Sequence, residues 1–166
     1  MRALTAVRLL AAPVLVAGVA ALPGSAQAGD TLAEVRQATV KFHSVEAAEQ
    51  AGYGDNALPC FSSEDGGMGE HLINGSLLED GGDLDARAPE ALVYDVADDG
   101  KWRLVAVEYI VLFSDAPADG PAPQVLGQDL TRHPSLPLWK LHAWIWQGNP
   151  AGVFKDWNPA LTSCPG

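Results

Sequence analysis

Two histidines and a glutamate carry the chemistry this chain offers: His71 in Met68-Gly69-Glu70-His71, Glu108 in Val107-Glu108-Tyr109, and His142 in Leu141-His142-Ala143. Two imidazoles and one carboxylate form a facial set for ferrous iron, and the same groups hold zinc with a water in the open position. A divalent metal ion, iron or zinc, is therefore the expected cofactor. Glu70, beside His71, is the candidate catalytic acid or base, placed to act on a bound water or to orient an imidazole. Glu108 lies in an apolar run and needs a partner, because unpaired charge is costly there. The partner is a metal, or else Lys140, Arg103 or a buried hydrogen-bond donor. His43 is read as capping carbonyls or serving as a fourth ligand, and His133, before Pro134, as a loop residue.

A second constellation is aromatic. Trp144 and Trp146 sit two residues apart in a strand-like segment and so about 7 Å apart on one face. With Tyr109 they would form the platform of a non-catalytic binding module for a sugar or a small apolar ligand. A third reading leaves the histidines and acids in internal hydrogen bonds of a structural or partner-binding domain. No nucleophile elbow, phosphate loop, dinucleotide fingerprint or zinc-protease helix motif occurs.

The elements that would position these residues follow from local pattern. Thr31 and Glu34 form a capping box for a helix running to about Phe42, and Ser44 caps a second helix that Gly52 ends. Between Tyr53 and Pro89 glycines and acids dominate and predict loops; the aspartates of Glu79 to Asp85 lack the spacing of a calcium loop. Glu90 to Ala97 and Lys101 to Phe113 read as strands joined at Asp99-Gly100. With those two residues as the loop, Trp102 faces Ala97, Ala106 faces Val93 and Glu108 faces Ala91, leaving small neighbours around the carboxylate. Trp102, Leu104, Ala106, Glu108 and Ile110 then share a face. Ser114 to Pro137 holds five prolines (117, 121, 123, 134 and 137) and predicts a long surface excursion, either a lid or a solvated connection. Leu138 to Trp146 is a third strand, with Trp139, Leu141, Ala143 and Ile145 on one face and Lys140, His142, Trp144 and Trp146 on the other. Asn149-Pro150 opens a short helix to about Phe154. The expected fold is α+β, an antiparallel sheet with an N-terminal helical pair.

Residues 1–28 read as a secretory signal peptide: Arg2 and Arg8, an apolar run from Leu9 to Leu22, and Ala26-Gln27-Ala28 before the cut. Residues 29–166 then form one exported globular domain, secreted and free of the membrane after cleavage. Losing two arginines moves the net charge from −11 to −13, eight basic against 21 acidic residues. Such a surface repels nucleic acid phosphates and anionic lipid, so the expected partners are a small molecule or a metal ion. Cys60 and Cys164, an even pair in an oxidising compartment, are expected to form a disulfide.

Met68-Gly69-Glu70-His71-Leu72-Ile73-Asn74, Pro89-Glu90-Ala91-Leu92-Val93-Tyr94, Val107-Glu108-Tyr109, Leu141-His142-Ala143-Trp144-Ile145-Trp146, Asn149-Pro150-Ala151-Gly152-Val153-Phe154 and Asp156-Trp157-Asn158-Pro159 together resemble an uncharacterised family of small bacterial proteins, many of them exported. The resemblance covers most of residues 29–166. It implies that His71, Glu108 and His142 act as one constellation, and it implies no particular activity. The chain departs from the family pattern at Glu70 and Leu72, where an aromatic residue follows Gly69 or His71.

Overall fold

The computed structural model describes residues 31–97 and 99–161, with backbone only for 55–59. Residues 1–28, the expected signal segment, and Cys164 lie outside the described residues. Two short helices open the fold, α1 (Leu32–Thr39) and α2 (Val45–Gln50), joined by a 3-10 turn over Val40–His43. The Thr31/Glu34 capping box forms, and Ser44 caps α2 by accepting from the Ala47 N–H. Each such cap stabilises by about 1 kcal/mol. Gly52, at φ +96°, follows α2 as the left-handed terminator.

Strands β1 (Tyr53–Ser63), β2 (Gly66–Asn74), β3 (Ala91–Val96), β4 (Trp102–Leu112), β7 (Thr131–Arg132) and β8 (Leu138–Ala143) build one sheet in the order β1-β2-β3-β4-β8-β7. Every pairing in it is antiparallel. The two-residue strands β5 (Gln124–Val125) and β6 (Gln128–Asp129) pair within the proline-rich excursion, and a one-turn helix α3 (Gly75–Leu78) follows β2. The architecture is α+β, with the helical pair on one face of an antiparallel sheet. Among the described residues no helix is long and apolar enough to cross a membrane.

Val35, Phe42 and Ala48 of the helical segment pack with Leu72, Leu92, Tyr94, Val107, Tyr109 and Leu141 from one sheet face. The tyrosine hydroxyls are satisfied there: Tyr94 donates to the Phe42 carbonyl at 2.6 Å, Tyr53 to Pro89 at 2.8 Å and Tyr109 to Ala86 at 2.7 Å. The opposite face carries two smaller apolar groups, Val93, Val105, Ala106, Trp144 and Leu161, and Ile73, Ala91 and Ile110. The chain after β8 crosses that face. Asn158 exchanges backbone hydrogen bonds with Gly67 at 2.9 and 3.2 Å. Gly66 is required here, because at φ +127° a Cβ would lie 2.3 Å from the Asn158 carbonyl oxygen.

Four local expectations are corrected. Tyr53–Pro89 is not all loop: the turn is Glu64-Asp65 alone, between β1 and β2, and Gly66 and Gly67, expected in the turn, are strand residues. The β3–β4 connection is one residue longer than Asp99-Gly100, since Ala97 N–H donates to Lys101 O and Trp102 pairs with Val96 rather than Ala97. A bulge at Val105 then returns the register to Ala106 opposite Val93 and Glu108 opposite Ala91, as expected. The same bulge exchanges faces, so Trp102 packs on the helix side while Ala106 and Ile110 lie on the other. Its spare carbonyl accepts from the Trp146 and Gln147 N–H groups, both at 3.0 Å. Third, β8 ends at Ala143 rather than Trp146. Last, Asn149-Pro150 leads into turns, not a helix, and Gly152 at φ +131° interrupts any continuation.

Candidate metal centre

His71, Glu108 and His142 arrive on the same sheet face from three strands. Glu108 on β4 pairs with His142 on β8, and on its other side with Ala91 on β3. His71 on β2 is registered opposite Val93 of β3, two residues along from Ala91, and its ring reaches diagonally across β3 to the same point. All three side chains are buried, at 1%, 3% and 0% exposure. One donor atom from each lies within 4.8 Å of the others. His71 Nε2 is 3.0 Å from His142 Nε2 and 3.4 Å from Glu108 Oε2, and Glu108 Oε1 is 3.4 Å from His142 Nδ1.

With Nε2 as the donor of His142, the separations of 3.0 Å and 3.4 Å from His71 Nε2 suit a shared ion, while Glu108 Oε1 approaches the other ring nitrogen of His142. Two donors bound at about 2.1 Å are about 3.0 Å apart across a right angle and about 3.4 Å apart across a tetrahedral one. The polar groups are otherwise poorly served: His71 Nδ1, Glu108 Oε2, Lys140 Nζ and His142 Nδ1 are buried without a well-formed hydrogen bond. Burial pushes the His71 imidazole down to about 4, so it is neutral near pH 7, the form that ligates metal. The group can hold a metal ion.

Glu108 is not consumed by a basic side chain. Arg103 pairs with Asp95, and Lys140 Nζ lies 2.5 Å from Asp156 Oδ1. Asp156 also stands 3.7 Å from His142 Nδ1; His142 first and Lys140 second hold its carboxyl well below the usual carboxylate range. An acid behind a histidine fixes the ring's tautomer and orientation when the other nitrogen ligates. Trp144 stacks on His142 with ring centroids 5.9 Å apart and planes 12° from parallel. A cavity of about 250 Å³ opens over His71 and Glu108, walled by Phe61, Met68, Pro134 and Trp157.

Other site expectations do not converge. Glu70 pairs with Tyr94 and alternates with His71, so its side chain leaves on the helix face and is no base for this centre. Tyr109 is fully buried in the helix-side core. Trp146, beyond the end of β8, turns to that side too, where its Nε1 donates to Thr39 Oγ1 at 3.3 Å and its ring meets His43 at 4.4 Å. Trp144, Trp146 and Tyr109 therefore form no common platform, and His43 is not a fourth ligand. Of the acidic turn, Asp80 Oδ1 accepts from the Gly82 and Asp83 N–H groups. Sequence reasoning passed over Asp156, whose only signal was the motif Asp156-Trp157-Asn158-Pro159, and read His133 only as a loop residue; Lys140 shares the face of His142, as expected. Among the described residues no cysteine is free, and Cys60 has a partner, while Cys164 lies outside them.

Compared with known proteins, the chain has no match: no family model, no curated protein and no solved structure.

Proposed function

We propose that this is an exported metal-binding protein whose His71, Glu108 and His142 side chains hold one divalent transition ion, iron(II) or zinc. One observation carries the reading: three metal-ligating side chains, buried together at ligand-to-ligand separations, with a full hydrogen-bond complement for none of them. Such a cluster destabilises an apolar sheet face unless something occupies it. Because two of the three ligands, His71 and Glu108, line the cavity, an ion held there would be open to a small molecule, and we extend the proposal to a metal-dependent enzyme. Export by the signal segment, a Cys60–Cys164 disulfide and membership of the resembling family belong to the same proposal.

The test is metal content. Purified protein loaded with zinc or iron(II) and dialysed at neutral pH retains about one ion per chain, and His142→Ala and Glu108→Gln do not. Equal trace metal in wild type and His142→Ala contradicts the proposal.

A further inference from the structure

Hydrogen bonding decides what the cavity offers a guest. His133, on its rim, accepts at Nδ1 from the Ser135 N–H at 3.2 Å and the Leu136 N–H at 2.9 Å, so that nitrogen carries no proton. In a neutral ring the proton then sits on Nε2, which is a donor. Lys140 Nζ, 3% exposed and also lining the cavity, has three N–H bonds, and Asp156 engages it from one side without satisfying it. Outside the metal ligands, two of the polar groups lining the cavity are thus donors.

Charge points the same way. Glu108, Asp156 and Lys140 leave the bare centre with one net negative charge. A divalent ion held by neutral imidazoles turns that into one net positive charge. The walls are apolar, and Phe61 at the mouth is 46% exposed, one of two large hydrophobic side chains so exposed among the described residues. An exposed aromatic at a cavity edge suits a guest with an apolar body.

Building on the metal proposal, we infer that the cavity binds a small organic monoanion, a monocarboxylate of about benzoate size. Its oxygens meet the ion and the Lys140 and His133 donors, and its hydrocarbon part lies against Phe61, Met68 and Trp157.

The experiment uses the exported protein loaded with cobalt(II), whose visible absorption reports a change of ligand. Benzoate shifts the band saturably, at concentrations at least tenfold lower than acetate, and benzyl alcohol leaves it unmoved. His133→Ser keeps an acceptor for the turn but has no reach into the cavity; it retains cobalt and weakens benzoate tenfold or more. Lys140→Met weakens benzoate similarly, and Phe61→Ala narrows the gap between benzoate and acetate. A benzoate response absent from the cobalt form, matched by benzyl alcohol or by acetate, or unchanged in His133→Ser overturns the inference. Failure to take up cobalt at all is visible before any benzoate is added; it overturns the metal reading and this inference with it.

Discussion

The two faces of the sheet solve the burial of polar groups in opposite ways. On the helix side, three tyrosines project into the core and every hydroxyl reaches a backbone carbonyl. On the other side, an equally buried cluster of His71, Glu108, Lys140 and His142 leaves four polar atoms without a well-formed bond. The same strands build both, so the difference lies in side-chain choice, not in a defect of the fold. A buried unsatisfied group costs about 1–3 kcal/mol. The helix face is therefore the part that holds the molecule together, and on the proposed function the opposite face is the part kept for binding.

Substitutions can break that division. The largest effect is expected at the centre itself: Glu108→Gln, read by equilibrium dialysis, abolishes stoichiometric metal binding, a greater loss than the 10–100-fold typical of removing a supporting partner. Leu92→Ala, on the fully buried helix face, lowers unfolding free energy by about 2–5 kcal/mol in a denaturant titration. It leaves metal stoichiometry unchanged. Asp156→Asn, which removes the acid behind His142, weakens metal affinity about 10–100-fold while the protein stays folded by circular dichroism.

A change of pH sharpens the comparison further. Glu90, 1% exposed and accepting from the Ile110 N–H at 2.9 Å, has its carboxyl pushed up to about 8 by burial. Between its unfolded value of 4.5 and 8 the folded protein holds a proton that the unfolded chain releases. Stability therefore falls as pH rises through that window, at no more than about 1.4 kcal/mol per pH unit. Glu90→Gln keeps an acceptor for Ile110 and removes the slope. Urea titrations of both proteins at pH 5, 6.5 and 8 expose the difference.

Much of this arrangement is legible in the sequence. The helix caps at Thr31 and Ser44 and the strands at Ala91 and Trp102 follow from local chemistry, whereas the grouping of His71, Glu108 and His142 comes from their ligand types and from the family resemblance. Glu108 opposite Ala91 is a subtler success. The loop is one residue longer than expected and the bulge at Val105 restores the count, so two deviations cancel at the site and survive at Trp102. What escaped reading depends on contacts distant in the chain. Gly66 and Gly69 look like loop residues because they lack side chains, yet a Cβ there would lie 2.3 Å from the Asn158 carbonyl oxygen and 2.8 Å from that of Tyr94. Trp146 leaves its expected face because β8 stops at Ala143, where the chain turns to meet Val153. Asp156 joins the centre only through the path of the final segment, which no periodicity encodes.

X-ray absorption at the zinc edge tests the centre most directly, because it counts donors around the ion. Zinc-loaded wild-type protein is predicted to show two imidazole nitrogens and carboxylate oxygen at about 2.0–2.2 Å, and whatever zinc His142→Ala takes up from excess zinc, without dialysis, to show at most one imidazole. A shell of oxygen alone, or the same imidazole count in both proteins, would contradict the account.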